Sequence, residues 1–496
     1  MGSSPHIVSI HILDDESLLN IFYLYRPFFV GEGGNDYQRL YGGHLWHHGR
    51  WWYRLAHVCQ RWRNLILGSA SYLRLSLVCT SGTPVQNMLA HSPPLPLTVD
   101  YHSENEITAE DEEEILFALK QRDRVRHLRL NNYVQNLRKL VVAIDGEFPI
   151  LECLIVLSLA KGSTVLMLPE TLQAPHLRHL ALFDFACPIQ PRLHPTAASL
   201  VTLFLVINHP SAYFQPNILH QWLSFMPQLE DLAILFTFPV PNRDVERQLT
   251  RTPITTHITL PNLRLFGFRG GSAYLEAVVR RITTPRLESL QIWFFKQLTF
   301  PFPRLAHFMQ TTENIGFDDA VITFRDKEID MLMSFRGVTM YQFALIVGCW
   351  HLDWQVSSVA QISNALSQAF SAVEYLTLQH EVHGQSSVEH NDVDRIEWRK
   401  LLRSFSNVKT LLVEELSRCL RLEDGELPLE LLPELQNLTY FGNRDTDDAF
   451  NSFIDARQNA GRPVTLVHHN ANPNSLPSEP PAITSPNSEV GNDLET

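Results

Sequence analysis

The N-terminal hydrophobic pattern has helical periodicity. The segment Asp14–Tyr25 has apolar residues at positions i, i+3, i+4 and i+7, which are Leu18, Ile21, Phe22 and Tyr25. A second apolar stripe of this kind runs from Trp51 to Leu67, and Gly68 supplies its stop. The two stripes predict two amphipathic helices. The glycine-containing stretch between them predicts an inserted loop over residues 26–50.

After residue 70 the apolar residues recur at every second position, which is typical of half-buried strands. Apolar residues alternate with others at Leu73, Leu75 and Leu77, and again at Leu95, Leu97, Val99 and Tyr101. A short cassette then recurs. It has the pattern Pro-x-Leu-x-x, followed by an apolar residue at the start of a predicted strand. Its clear copies begin at Phe148, Ala174, Met226, Leu260, Thr284 and Leu432. Weaker copies span Val125–Leu130, Leu200–Leu205, Phe302–Phe308, Val373–Leu378 and Val408–Val413. The recurrence predicts a repeat protein.

Helical patterns lie between the predicted strands, at Glu112–Lys120, Ile218–Met226, Tyr274–Ile282, Val359–Phe370 and Arg395–Phe405. Two degenerate strands are expected at Val321–Phe324 and Tyr341–Val347. A helix at Asp447–Asn459 and a strand at Pro463–Val467 are expected to close the array. The expected fold class is therefore α/β, a leucine-rich-repeat-like solenoid, or horseshoe, preceded by a small helical domain.

These patterns divide the chain into four parts. We expect a flexible N-terminus over residues 1–9, a helical domain over 10–70 and the repeat array over 71–469. Residues 470–496 are rich in Pro, Asn, Ser and Glu, which predicts a disordered acidic tail.

Composition narrows the class of protein. The 53 Asp and Glu residues outnumber 40 Lys and Arg, and a formal charge of -13 argues against nucleic-acid or anionic-membrane binding. Six scattered cysteines, without a C-x-x-C pair, indicate a reducing compartment. No apolar stretch is long enough to span a membrane and no signal peptide is recognisable, so we expect a soluble intracellular protein of the cytoplasm, the nucleus or both.

The residues of the two N-terminal helices resemble a known motif. The stretch Ile12–Phe22, ILDDESLLNIF, is similar to the opening of the F-box, although Asp14 stands where that motif usually has proline. The stretch Leu55–Ile66, LAHVCQRWRNLI, resembles its second half, which has a Val-Cys-x-x-Trp signature. With the Tyr72–Leu77 segment, the chain is most similar to the expanded F-box families of mushroom-forming fungi. The loop at 26–50 is longer than the family standard.

This resemblance implies a non-catalytic role. F-box proteins bind a Skp-family adaptor, which links them to a cullin and a RING subunit in an SCF ubiquitin ligase, and they present a target protein to it. Carried over residue by residue, the adaptor-binding surface would comprise Leu13, Leu18, Ile21, Phe22, Val58, Cys59 and Trp62, supported by Leu55, Leu65 and Ile66. From periodicity alone, the same helices could instead cap the first repeat, since terminal repeats need a closing element.

Target binding is expected on the strand-bearing concave face and its adjoining loops. Arginines are candidates for engaging acidic or phosphorylated segments, namely Arg126, Arg129, Arg178, Arg264 and Arg269. Solvated strand-edge arginines are the alternative interpretation of each. No motif predicts catalysis, a cofactor or a metal site: Asp111–Glu114 is typical of a helix start and Gly270-Gly271 of a turn.

Three functions remain open from sequence. The chain could be the substrate receptor of an SCF ligase, with an unidentified protein target. It could use the same adaptor as a scaffold without promoting ubiquitin transfer. It could also be a protein-binding repeat scaffold whose helical cap merely resembles an F-box. The oligomeric state is not readable from the sequence.

Overall fold

The computed structural model describes residues 12–25, 50–102, 108–158, 166–185, 197–238, 257–295, 300, 302–312, 314–338, 341–381, 395–414, 416–420, 430–441 and 447–469. The expectations for the flexible N-terminus, the acidic tail and all but Arg50 of the inserted loop lie outside these residues.

The first helix, α1, runs from Asp15 to Tyr25 as its periodicity predicts. The second predicted helix is wrong as a single element. It is divided into α2, Trp51–Ala56, and α3, Gln60–Gly68. Cys59 is extended, with φ -157° and ψ 169°, so the helix stops and restarts there. The apolar stripe continues across the break because both short helices pack on the same side, which is why periodicity alone did not reveal it.

A 16-stranded, mostly parallel sheet forms the body of the described chain. Its strands are β1 Leu77–Cys79, β2 Leu97–His102, β3 Val125–Asn132, β4 Cys153–Ser158, β5 His179–Phe183, β6 Thr202–Ile207, β7 Asp231–Phe236, β9 Leu265–Gly270, β11 Ser289–Phe294, β12 Asp319–Arg325, β13 Glu328–Ser334, β14 Phe343–Gly348, β15 Tyr375–Glu381, β16 Thr410–Glu414, β17 Asn437–Phe441 and β18 Thr465–His469. Two short strands, β8 Ile258–Thr259 and β10 Ile282–Thr283, pair separately. The α/β expectation is confirmed.

Helices connect many of these strands, and the described residues contain 13 α-helices in total. The remaining ten are α4 Val85–His91, α5 Ala109–Lys120, α6 Val134–Ala143, α7 Pro216–Leu223, α8 Ser272–Val279, α9 Pro303–Thr311, α10 Leu352–Ala365, α11 Ser367–Phe370, α12 Arg395–Arg403 and α13 Asp447–Asn459. The helix at Asp447–Asn459 has the predicted bounds. Phe302–Phe308 was expected to be a weak repeat strand, and this is wrong: Pro303 opens α9 there, where its fixed φ suits a first helical turn.

The sheet order departs from the chain order in one place. Strand β14 lies beside β11, and β12 lies beside β15, with β13 antiparallel between them. The strands predicted near Val321 and Tyr341 are present, but β13 was missed. Its signal is the alternation of Ile329, Met331 and Met333, all buried, after the two-residue turn Asp326-Lys327.

The two faces of the sheet differ in what covers them. On one face, strand residues such as Leu203 and Leu232 join helix residues such as Leu137 and Leu219 in a continuous core. We call this the helix-packed face. Because side chains alternate along a strand, the intervening residues point the other way. Those of β4 to β7 form a second cluster that contains only strand residues, which we call the strand-only face: Cys153, Ile155, Leu157, Ala181, Phe204, Val206 and Ala233, flanked by Phe183 and Leu235.

The last helix is fixed by a buried cation. Arg457 of α13 is fully buried, and its guanidinium donates hydrogen bonds of 3.1–3.4 Å to four backbone carbonyls. The acceptors are Leu431, Leu432, Pro433 and Leu435. Three of these belong to the last repeat cassette, in which Leu432 adopts a positive φ of 49°. The hydrogen bonds therefore hold the turn before β17 against the closing helix.

Candidate partner-binding surfaces

The N-terminal helices pack through part of the predicted adaptor-binding set. Leu18 and Phe22 of α1 are buried, and the Phe22 ring meets the Trp62 ring of α3 edge to face, with centroids 4.9 Å apart. Ile66 is also buried. These four residues have almost no exposed surface, so the contact they make is inside the chain. Their role in the structure is to fix α1 against α3.

A capping interaction explains the departure at Asp14. The Asp14 carboxylate accepts a 2.7 Å hydrogen bond from the Ser17 backbone N–H, which is the usual N-cap geometry for a helix that begins at Asp15. That hydrogen bond lowers the pKa of Asp14. Arg61 of α3 adds a second link, since its guanidinium donates to the Asp15 carboxylate at 2.7 Å and to the Leu13 carbonyl at 2.7 Å. The residues at the motif opening therefore define both the start and the position of α1.

Other members of the predicted set are accessible. Ile21 is 43% exposed and Val58, in the break between α2 and α3, is 59% exposed. Leu13, Leu55, Cys59 and Leu65 are half-buried. Sequence reasoning missed Leu24, which is 66% exposed, and it placed Tyr25 on the inner stripe although Tyr25 is also exposed. Ile21, Leu24 and Tyr25 lie three and four residues apart on α1, so they share one side of it.

The same helical region is joined to the first strand. The Trp52 indole N–H donates to the Ser76 carbonyl at 3.2 Å, and the side chain is buried. Arg50 reaches the Val78 carbonyl at 3.5 Å and the Thr80 hydroxyl at 3.3 Å. Strand β1 pairs only with β2 among the described strands. These contacts place α2 beside the outer edge of the sheet.

The strand-only face is apolar at its centre. Register places Ile155, Ala181, Phe204 and Ala233 side by side on four consecutive strands. Phe204 is fully buried and stacks on Phe183, with ring centroids 5.7 Å apart. Because both faces of β4 to β7 are apolar, these strands read in the sequence as continuous hydrophobic runs rather than alternating ones.

A polar row borders this cluster near the start of the strands. The Thr98 hydroxyl donates to the Ser76 hydroxyl at 3.1 Å and lies 3.2 Å from His127 Nδ1. On the other side of Cys153, Thr202 donates to Asp231 at 3.3 Å and lies 3.2 Å from His179 Nδ1. Since each threonine hydroxyl uses its proton elsewhere, each histidine donates from Nδ1. A threonine hydroxyl beside a histidine Nδ1 therefore occurs on both sides of Cys153.

Partial desolvation disfavours the charged form of these histidines, although His127 is only half-buried and His179 is exposed. This desolvation lowers the pKa of His127 to about 4, with the Arg126 charge adding to the effect, and it lowers the pKa of His179. Burial likewise raises the pKa of the Cys153 thiol to about 12, so the thiol is protonated at neutral pH. The five described cysteines are free. The row is therefore uncharged except at Asp231, and it is suited to hydrogen bonding rather than to nucleophilic chemistry.

Charged residues line the edge where the strands begin. From β3 to β11, the residue after the buried apolar residue of each repeat belongs to one ladder. Each backbone N–H after the first donates to the carbonyl of the preceding member, at 2.7–2.8 Å. The members are Arg126, Glu152, Arg178, Val201, Glu230, Arg264 and Glu288. Their signs alternate except at Val201. Arg126 pairs with Glu152 at 3.6 Å, and Arg264 pairs with Glu288 at 2.7 Å.

An open groove of about 500 Å³ lies over part of this ladder. It is lined by Arg126, Ile150, Glu152, His176, Arg178, Ser199, Val201, Gln228 and Glu230. Two of the five candidate arginines, Arg126 and Arg178, therefore meet at one site. The acidic members Glu152 and Glu230 were missed, although their position after each cassette leucine is visible in the sequence.

The other three arginines lie elsewhere. Arg264 is exposed on the same edge but outside the groove lining. Arg129 is buried on the strand-only face, beside Asp100 and Ile155 in register. Arg269 is exposed near the far end of β9, and its guanidinium lies 5.9 Å from the Phe295 ring. The five arginines therefore do not form one binding surface.

Comparison of the sequence with protein-family models and with curated proteins gives no match to either. Within the described part of the chain, no helix combines the length and apolarity needed to cross a bilayer. The same residues contain no group of three or more His, Cys, Asp or Glu side chains arranged to hold a metal ion.

Proposed function

We propose that this chain is the substrate-recognition subunit of a Skp/cullin/F-box ubiquitin ligase. In this proposal α1 to α3 form an F-box that binds a Skp-family adaptor, and a leucine-rich-repeat-like solenoid binds a target protein. The chain itself is non-catalytic. It acts by holding the target near the transferring enzyme, which raises the effective concentration of the target's lysines there.

One observation supports adaptor docking most directly. The N-terminal helices have a buried layer, Leu18, Phe22, Trp62 and Ile66, and still expose large apolar residues around it. We define the docking surface as Ile21, Leu24 and Val58, which are 43%, 66% and 59% exposed. An exposed apolar surface on a well-packed element is typical of a protein interface. The proposal therefore assigns the F-box residues two roles, with Phe22 and Trp62 holding the helices and Ile21 and Val58 meeting the adaptor.

The sheet topology supports the repeat half of the proposal. From β1 to β7, and again from β15 to β18, each strand pairs in parallel with the next strand along the chain. Each cassette leucine, such as Leu151 or Leu229, is buried just before its strand. This is one strand for each repeat, as in leucine-rich-repeat proteins. Such an array offers the ladder edge to a target.

Adaptor docking is tested with charge substitutions at exposed positions. We expect Ile21→Glu combined with Val58→Glu to weaken capture of a purified Skp-family adaptor about 100-fold or more, because two apolar contacts are replaced by buried charges. Val142→Glu is the matched control, since Val142 is an equally apolar, 68% exposed residue on α6. It should leave capture unchanged. Equal capture by all three proteins would overturn the docking assignment.

Ubiquitin transfer separates a ligase receptor from a scaffold that uses the same adaptor. The intact chain, assembled with adaptor, cullin and RING subunits, should promote ubiquitin transfer to proteins that co-purify with the chain. The Ile21→Glu, Val58→Glu variant should retain those proteins and lose the transfer. Adaptor capture without any transfer would support the scaffold function instead.

A second candidate function is favoured by a separate observation. The Trp52 and Arg50 hydrogen bonds to the β1 region are those expected of a cap that closes the first repeat. On this alternative the chain is a protein-binding repeat scaffold whose helical cap resembles an F-box. Such a cap would not retain the adaptor in a washed pull-down, so the capture experiment distinguishes the two functions.

A further inference from the structure

The charge ladder has one break, and the break leaves two opposite charges unpaired. Arg178 and Glu230 flank Val201, the uncharged member of the ladder. Among the described residues, neither Arg178 nor Glu230 has an ion-pair partner, whereas Arg126, Glu152, Arg264 and Glu288 are all paired. Both unpaired groups line the groove. Glu230 lies close enough to Arg264 to act on its charge, but neither Arg178 nor Glu230 forms an ion pair, so both can pair with a ligand of complementary charge.

The separation of these charges can be estimated from strand geometry. Arg178 and Glu230 belong to strands two places apart, with Val201 between them. Neighbouring strands lie about 4.8 Å apart, so the two backbone positions are separated by about 9.6 Å along the ladder. A ligand chain that follows the ladder must present a negative and a positive group at about this spacing, on the same side.

The polyproline II helix matches this backbone spacing more closely than a β-strand does. In a polyproline II helix, residues i and i+3 lie on the same side, about 9.3 Å apart. In a β-strand, residues i and i+3 point to opposite sides, while i and i+2 are only about 6.8 Å apart. We propose that the groove binds a polyproline II segment of a partner protein in which an acidic and a basic residue stand three positions apart. The acidic residue faces Arg178, the basic residue faces Glu230, and the backbone between them passes over Val201.

This inference rests on the proposed target-binding role of the array and gives the chemistry of the segment it would recognise. It does not involve the docking surface on α1 to α3. The groove is open, so the charges are partly solvated, and binding should weaken as ionic strength rises.

The test uses the full chain and fluorescein-labelled nine-residue peptides in a Pro/Ala background. Each peptide has one Glu and one Arg, at a spacing of two, three or four residues and in either order, with an uncharged peptide as reference. Fluorescence polarisation gives the affinities. The better three-spaced peptide should bind at least about tenfold more tightly than the uncharged, two-spaced or four-spaced peptides. Failure of the three-spaced peptides to exceed the others would overturn the proposal.

Charge-reversal variants of Arg178 and Glu230 test where the peptide binds. Arg178→Glu should weaken the best peptide about tenfold, because an attraction becomes a repulsion. The double variant Arg178→Glu, Glu230→Arg should bind the opposite Glu/Arg order more tightly than the order preferred by the wild type. Arg264→Glu is the control, since Arg264 belongs to the same ladder but lies outside the groove lining. An unchanged order preference in the double variant would contradict the assignment.

Adaptor capture by the same variants separates this inference from the proposed function. Arg178→Glu and the double variant should capture the adaptor as the wild type does, because the groove is remote in sequence and contact from α1 to α3. Loss of peptide binding with retained capture is the expected result for Arg178→Glu. Failed adaptor capture by the wild type would remove the ligase role and leave the peptide result standing.

Discussion

The two faces of strands β4 to β7 are equally apolar but differ in the described residues with which they cluster. Leu203 and Leu205 belong to a core that includes helix residues and extends along the array, whereas Phe204 and Val206 on the other side belong to a cluster whose described members are all strand residues. The helix-packed face therefore depends on long-range packing, and the strand-only face depends on the alignment of adjacent repeats. A substitution should therefore lower the unfolding free energy by different amounts on the two faces, and measuring that difference tests whether the faces are distinct.

The largest effect is expected for a charge on the helix-packed face. Leu203 is fully buried in β6, so Leu203→Asp would bury a carboxylate with no partner and should cost more than about 4 kcal/mol of unfolding free energy. Leu235→Asp is the matched variant, because Leu235 is a half-buried leucine on the strand-only face. It should cost less than half as much. Urea denaturation measures both, and equal costs would show that the two faces are not distinct.

A smaller effect is expected at the centre of the strand-only face. Phe204→Ala removes a fully buried ring that stacks on Phe183, and we expect a loss of about 3 kcal/mol. Phe204→Leu keeps most of the volume and should cost less than about 1.5 kcal/mol. A cost below about 1 kcal/mol for Phe204→Ala would mean that solvent already reaches this ring. The strand-only face would then be a surface rather than a second core.

The smallest effect is a pH dependence at the border of that face. His127 has a folded-state pKa of about 4, below its ordinary value of 6.5, so the unfolded chain binds more protons between these values. Stability should therefore fall as the pH falls through this window, by about 1 to 2 kcal/mol from this histidine between pH 7 and 5. His127→Gln should reduce the loss in thermal denaturation compared at the two pH values. An unaltered pH dependence would show that His127 is already solvated.

The repeat cassettes show which elements can be predicted from the sequence. Buried leucines such as Leu151 and Leu229 and the strands after them were predicted, because local periodicity depends only on which residues face the core. Strand β13 was missed although its alternation is local, because it is an antiparallel strand that departs from the pattern of one parallel strand after each cassette. The α9 helix was mistaken for a repeat strand because Pro303 and Leu305 have the proline-to-leucine spacing of the cassettes, although Phe302, Leu305 and Phe308 recur at helical spacing.

The candidate sites show the same limit. The N-terminal motif indicated the right helices, but only packing shows that Phe22 and Trp62 face each other while Ile21 and Val58 face outward. For the arginines, sequence offered five equivalent candidates. Register across the sheet places Arg126 and Arg178 in one groove and separates Arg129 and Arg269 from it.

The sequence by itself determined that the chain alternates strands and helices, repeats a leucine cassette and begins with two apolar helical stripes. These properties follow from the spacing of apolar residues, which is local. Only the tertiary structure decided which side of each helix is exposed and that Arg178 and Glu230 are left unpaired beside Val201. Those outcomes depend on contacts between residues about 25 or more positions apart, and no local pattern encodes them.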